Sequence, residues 1–230
     1  MNWDTPAKPA ELAESRLIEA ILAGQFPIGS TLPAERELAT QLGVTRPTLR
    51  ETLQRLARDG WVDINHGKPT RVQNYWEEGS LGVLAVLSRY PQYAPANFVA
   101  HLLVVRQLLA PTYTELAVAQ ANDSLLFFVH SLSRLPETPQ AYAEADWHLH
   151  HQLTIASGNP IFTLILNGFA ALYQTAGPLY FAEAAHRTHS QAYYQALAQM
   201  IEAKDAAAAA NLTQRIMQQS INLWQTVIRQ

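Results

Sequence analysis

Several short stretches of this chain carry side chains whose types and spacing could do chemistry. The stretch VTRPTLRETLQRLARDGW, residues 44–61, puts Arg46, Thr48 and Arg50 in the first turn of a patterned helix. Cations oppose the positive end of a helix dipole. The placement makes sense where a polyanion supplies the missing negative charge. Arginine suits guanine edges and threonine hydroxyls suit phosphate oxygens. Arg36, near the start of the preceding helix, is within reach of a nucleic-acid backbone or a neighbouring base. His66-Gly67-Lys68 offers bare backbone and a cation, which suits a narrow minor groove. In DWHLHHQ, Asp146 and His150 share a helical face, and His148 and His151 point elsewhere. That pair is either half of a metal site or a set of surface or satisfied core groups. Arg106 sits among Leu102, Leu103, Val104, Val105, Leu108 and Leu109. A helix this apolar is buried, so its arginine needs an anion, either an internal carboxylate or a ligand phosphate or thioester oxygen. Ser220 falls on the apolar stripe Leu212, Ile216, Leu223, Trp224, Val227. Its hydroxyl either bonds a carbonyl one turn earlier or faces an apolar ligand cavity walled by Trp224.

The remaining signals are exclusions. There is no H-E-x-x-H, no G-x-S-x-G and no Walker-type glycine loop, so the chain is not read as an enzyme. With no cysteine, disulfides, thiolate nucleophiles and thiolate metal sites are out. No apolar run spans a membrane and no basic-then-apolar leader opens the chain, so a cytoplasmic protein without membrane contact is expected. The net charge of −3 argues alone against a nucleic-acid binder. The average hides a gradient. Residues 30–75 hold seven basic against five acidic residues, while 76–230 hold seven against ten. Such a split is expected where one part meets an anion.

The elements that must position these groups follow from periodicity and breakers. A helix over 8–23 ends at GQFPIGS; PAERELATQLGV starts at Pro33, with Gly43 as C-cap. Thr45 is the expected N-cap of the next helix, which stops at Asp59-Gly60. WVDIN (61–65) and TRVQN (70–74) read as a hairpin with a four-residue connection. Helices are expected over 81–90, 96–121, 123–133, 138–156, 160–175, 177–184, 188–203 and 205–229. The fold class is therefore mainly α. A winged helix-turn-helix over 1–75 and a linker at 76–80 precede an all-helical bundle over 81–230. In such a pair the second helix reads the major groove.

FPIGSTLPAERELATQLGVTRPTLRETLQRLARDGW resembles the DNA-binding domain of the GntR family of bacterial regulators. HGKPT, NYWE and ASGNPIFTLILNGFAALY are similar to the family's fatty-acid-responsive branch. The resemblance implies DNA contacts at Arg36, Thr45, Arg46, Thr48, Arg50, His66 and Gly67. It implies an acyl-coenzyme A effector touching Tyr173, Tyr180, Ser220 and Trp224, with Arg106 as a further candidate. It implies a homodimer on a palindromic double-stranded operator, released by long-chain acyl-coenzyme A. Repression of fatty acid degradation genes and activation of unsaturated fatty acid synthesis genes would follow. Two positions depart from the pattern. Pro47 stands for a threonine and loses a hydroxyl contact; Met217 stands for a glycine beside the pocket. Many GntR bundles bind a metal through Asp-x3-His and two later histidines, but those positions fall near Tyr194 and Ile216 here, and His186 and His189 are off the pattern. The branch resembled implies no metal and no cofactor. The alternative is a metal-dependent GntR regulator sensing a small organic acid.

Overall fold

The computed structural model describes residues 8–227. Backbone contacts divide the chain into two units, one ending at Tyr93 and the other beginning at Ala94.

The first unit contains α1 (Pro9–Leu22), α2 (Glu35–Leu42), α3 (Arg46–Asp59), β1 (Val62–Asp63), β2 (Arg71–Val72) and α4 (Leu81–Leu87). Its core joins Leu17, Ile18 and Ile21 of α1 to Leu38 of α2, Leu49, Leu53 and Leu56 of α3, and Trp61. Leu12, also on α1, is 40% exposed. The turn that aims α3 is built as its residues demand. Gly43 closes α2 at φ 69°, a left-handed conformation open to glycine at little cost. The Thr45 side chain accepts the Thr48 N–H, capping α3, and Pro47 sits in the first turn, where no intrahelical donor is needed. Gly60 ends α3 at φ 88°.

One expectation for this unit needs correction. The hairpin is shorter than the residues suggested. Only Val62 pairs with Val72 and Asp63 with Arg71, leaving residues 64–70 as the connection. Pro69 has no N–H to extend the ladder, and Gly67 turns the chain at φ 74°. The far edge of β2 is used by a segment read as mere breaker: Gly29 N–H donates to Val72 O, Val72 N–H to Ser30 O, and Leu32 N–H to Thr70 O. The segment 76–80, read as a linker, has a defined turn. Glu77 and Glu78 N–H donate to Asn74 O, and Ser80 N–H donates to Asp59 O. A Cβ on Gly60 would stand 2.6 Å from Glu78 O, so this turn is folded onto the end of α3. α4 follows with Val83, Val86 and Leu87 buried, and it packs on α3 rather than opening the bundle.

The second unit is helical: α5 (Phe98–Ala119), α6 (Asp123–Ser131), α7 (Pro139–Ala156), α8 (Pro160–Asn167), α9 (Ala170–Tyr180), α10 (Ala184–Glu202) and α11 (Ala206–Val227). The end of the expected 205–229 helix lies outside the described residues. α5 lies along α11, α7 packs on α5 and α9, and α10 packs on α11. Their shared core includes Ala110, Tyr113, Ala117, Leu149, Leu153, Tyr193, Tyr194, Leu197 and Met217. The helices expected over 160–175 and 177–184 divide differently. The break falls at Gly168-Phe169, and α9 runs through Gly177-Pro178 to Tyr180. Gly177 is not a stop but a contact: a Cβ there would sit 2.8 Å from the Cβ of Ala143 on α7. The glycine lets two helices approach closely.

Candidate functional site

Each unit carries one candidate site. On the first, α3 presents Arg46 and Arg50 exposed at its start, with Thr45 exposed and Thr48 half-buried. Arg36 on α2, and His66 and Gly67 in the hairpin connection, are exposed as well. The hydroxyls of Thr45 and Thr48 lie 2.9 Å apart and bond each other. Arg50 is not free: its Nε donates to Glu35 Oε2 at 2.8 Å. Arg55 pairs with Glu51 and Glu14, and Arg58 with Asp59, so both serve α3 and its neighbours. No ion pair engages Arg36, Arg46 or Lys68 among the described residues. The bases of this surface are therefore of two kinds, open ones and one held by a carboxylate.

The second unit holds a cavity that is partly open to solvent. Its walls come mostly from α5, α8, α9 and α11, and are chiefly apolar: Leu102, Leu103, Phe162, Phe169 and Leu172 among them. All five expected ligand positions, Arg106, Tyr173, Tyr180, Ser220 and Trp224, line it. So does Met217, whose side chain is buried in the wall. Ser220 Oγ donates to Ile216 O at 3.0 Å, the bond expected of a mid-helix serine, while still facing the cavity.

One wall is polar. Arg106 meets Asp146 with two nitrogens, Nη1 to Oδ2 at 3.0 Å and Nη2 to Oδ1 at 3.3 Å. Its Nη2 also donates to His150 Nε2 at 2.6 Å. With Nε2 accepting, the network assigns the imidazole proton to Nδ1, which lies 2.6 Å from the Tyr113 hydroxyl. Tyr194 Oη reaches Asp146 Oδ1 at 3.5 Å. Burial alone would lower the Arg106 pKa, but the Asp146 carboxylate, together with Tyr173 and Tyr113, outweighs it and the guanidinium stays charged. Burial, then the Arg106 charge, push His150 well below its ordinary value, so the ring is neutral. Burial raises Tyr113, Tyr173 and Tyr194, and pushes Tyr193 up to about 12, so these phenols remain donors.

The anion that Arg106 required is thus Asp146, one of the two open readings. The same contact decides what stands between Asp146 and His150. The helical spacing that could hold a metal instead holds a guanidinium, and no group of three or more metal-ligating side chains occurs among the described residues. Sequence reasoning missed Tyr113 and the Arg106–Asp146 link. A signal existed for each. Tyr113 lies two turns after Arg106 on one face of α5, and Asp146 sits among the buried positions Tyr142, Leu149 and Leu153 of α7.

Residues 9–72 match the bacterial regulatory proteins of the gntR family, and residues 73–230 match the FadR C-terminal domain. The chain belongs to the GntR family, with a FadR-type C-terminal domain. Relatives agree over most of their length. The fatty acid metabolism regulator protein of Shewanella pealeana is 44% identical over 192 residues, covering 84% of this chain and 80% of that protein. Its namesake in Klebsiella pneumoniae is 44% identical over 195 residues, covering 85% and 82%. Among solved structures, Lar, which controls expression of the Listeria monocytogenes agr system, superposes with a TM-score of 0.61. The two are 15% identical and cover 97% of this chain and 98% of that one, so the likeness is one of fold. As a GntR regulator the chain is a DNA-binding transcription factor. No helix among the described residues is long and apolar enough to cross a membrane.

Proposed function

We propose that this GntR regulator controls fatty acid metabolism through a long-chain acyl-coenzyme A bound in the cavity of the second unit. The observation that carries the reading is that cavity: apolar for most of its wall, and lined by all five positions at which an acyl-coenzyme A contact is expected. Apolar lining of this extent favours a chain of methylenes, each contributing roughly 0.8 kcal/mol on burial. The relatives named as fatty acid metabolism regulators support the same ligand class. Arg36, Thr45, Arg46, Thr48, Arg50, His66 and Gly67 carry the operator contacts, with Arg46 and Arg50 in the major groove and the 66–67 tip in the minor groove. A homodimer reads a palindrome through two such surfaces. Acyl-coenzyme A loading shifts the two reading helices out of register and releases the operator. Fatty acid degradation genes are then freed from repression, and activation at unsaturated fatty acid synthesis genes is lost. The site works in the cytoplasm without a metal or a cofactor. A metal-dependent sensor would require Arg106 to leave the space between Asp146 and His150.

The test is a gel shift with a palindromic duplex recovered by binding-site selection. Micromolar hexadecanoyl-coenzyme A should release the duplex, and free coenzyme A should not. Retention of the duplex at saturating acyl-coenzyme A of every chain length would sink the proposal.

A further inference from the structure

The cavity holds more hydrogen-bonding capacity than a hydrocarbon can use. Among its lining groups, the Tyr173 hydroxyl and Arg106 Nε are shielded from solvent and make no hydrogen bond. Tyr180 sits beside Ser220, whose Oγ gives its proton to Ile216 O and keeps lone pairs for the Tyr180 hydroxyl, so Tyr173 is the phenol left over. Arg106 lies over the Tyr173 ring, 5.6 Å from its centre, so the aromatic face is engaged while the hydroxyl is left over. Burial keeps both phenols protonated, and they stand as donors. A buried donor without an acceptor is costly, and a plain methylene chain laid against it leaves it so. A chain with an acceptor oxygen at that depth would complete the wall.

We propose that the preferred effector is an acyl thioester whose chain carries an oxygen, as a hydroxyl or keto group, at the level of the Tyr173 hydroxyl. This rests on the acyl-coenzyme A reading and narrows it to oxygenated chains. The acceptor chemistry has two sources, an in-chain oxygen or the thioester carbonyl itself. Plain chains already have the second, so comparing plain with oxygenated thioesters separates the two. A site whose buried polar groups are paired by one ligand and stranded by its analogue discriminates strongly between them. Hydroxylated or oxo-chains arise from plain ones by oxidation, so the effector would report on flux through such chemistry.

The experiment is calorimetric titration of the full chain with hexadecanoyl-coenzyme A and with derivatives hydroxylated near the thioester, at mid-chain and near the methyl end. One hydroxylated isomer should bind at least about tenfold tighter than the plain chain. That ratio should collapse in Tyr173→Phe and hold in Tyr180→Phe, with thermal melting confirming that each variant folds. Equal binding of all four thioesters overturns the inference and leaves the acyl-coenzyme A reading standing. It would mean that trapped water or the thioester carbonyl satisfies the donors. A preference that survives Tyr173→Phe overturns it too. If no thioester binds at all, the wider reading fails and takes the narrower one with it.

Discussion

Arg106 and Asp146 form a buried, two-pronged ion pair, with side chains 14% and 6% exposed. Desolvation makes such a pair a weak source of net stability, but removing one member strands the other. Asp146→Ala should therefore destabilise the protein by about 3 kcal/mol or more, read by urea unfolding. Arg106→Met with Asp146→Leu should recover most of that loss, because no charge is left behind. Exposed Arg58→Ala should cost under about 1 kcal/mol. His150 permits a pH prediction. Its folded pKa lies well below the unfolded value of about 6.5. The unfolded chain therefore takes up the proton first as pH falls. The penalty is absent above that value and grows below it. Its slope approaches about 1.4 kcal/mol per pH unit for one proton. Arg106, Asp146 and Tyr113 are the charged and titratable groups that meet the ring. His189, also lowered by burial, adds a part that His150→Gln leaves in place. Stability followed from pH 7 to 5 should fall less steeply in that variant. At this scale the sequence showed that Arg106 needed an anion. It did not show which one, because a helical face announces the burial of Asp146 but not the neighbour it meets across forty residues of chain.

At the scale of elements, α3 was legible because its signals are local: Thr45 caps, Gly43 and Gly60 turn, and Leu49, Leu53 and Leu56 face inward. The division of α8 from α9 was not, because Gly177-Pro178 mimics a stop. The real cause of the glycine is Ala143, a contact between distant residues. This gives a test in which propensity and packing oppose each other. In a helix interior, glycine to alanine is worth about 1 kcal/mol of stabilisation. At Gly177 the new methyl would stand 2.8 Å from the Ala143 Cβ, so overpacking of about 1–3 kcal/mol should win. Gly177→Ala should lower Tm, and adding Ala143→Gly should restore part of it. The reading helix makes a second prediction. Arg46 is exposed and unpaired, whereas Arg58 is bound to Asp59 at the far end of α3. Arg46→Ala should lose about 1–3 kcal/mol and relax preference at one base pair per half-site. Arg58→Ala should leave specificity unchanged in selection from a random duplex library. The reverse outcome would mean that α3 enters the groove by its other end.

For the molecule as a whole, the two families of match divide the chain: a DNA-binding region over 9–72, where eight basic and eight acidic residues balance, and an acidic helical domain over 73–230, with seven basic against ten acidic residues. The turn at 76–80 and α4 pack back on α3 through contacts that no local pattern encodes. A regulator of two units obeys a constraint that neither unit obeys alone. If acyl-coenzyme A weakens operator binding by some factor, operator must weaken acyl-coenzyme A binding by the same factor, since the two paths round the cycle end in one state. Couplings of this kind are typically about 5–150-fold. Titration of the acyl thioester into free protein and into protein saturated with operator gives one factor. Titration of operator with and without saturating thioester gives the other. Agreement within error is expected at fixed salt and protein concentration. The salt must be held because phosphate contacts make operator affinity steeply dependent on it. A factor that changes with protein concentration would place the release in dissociation of the homodimer rather than in a shift of its reading helices.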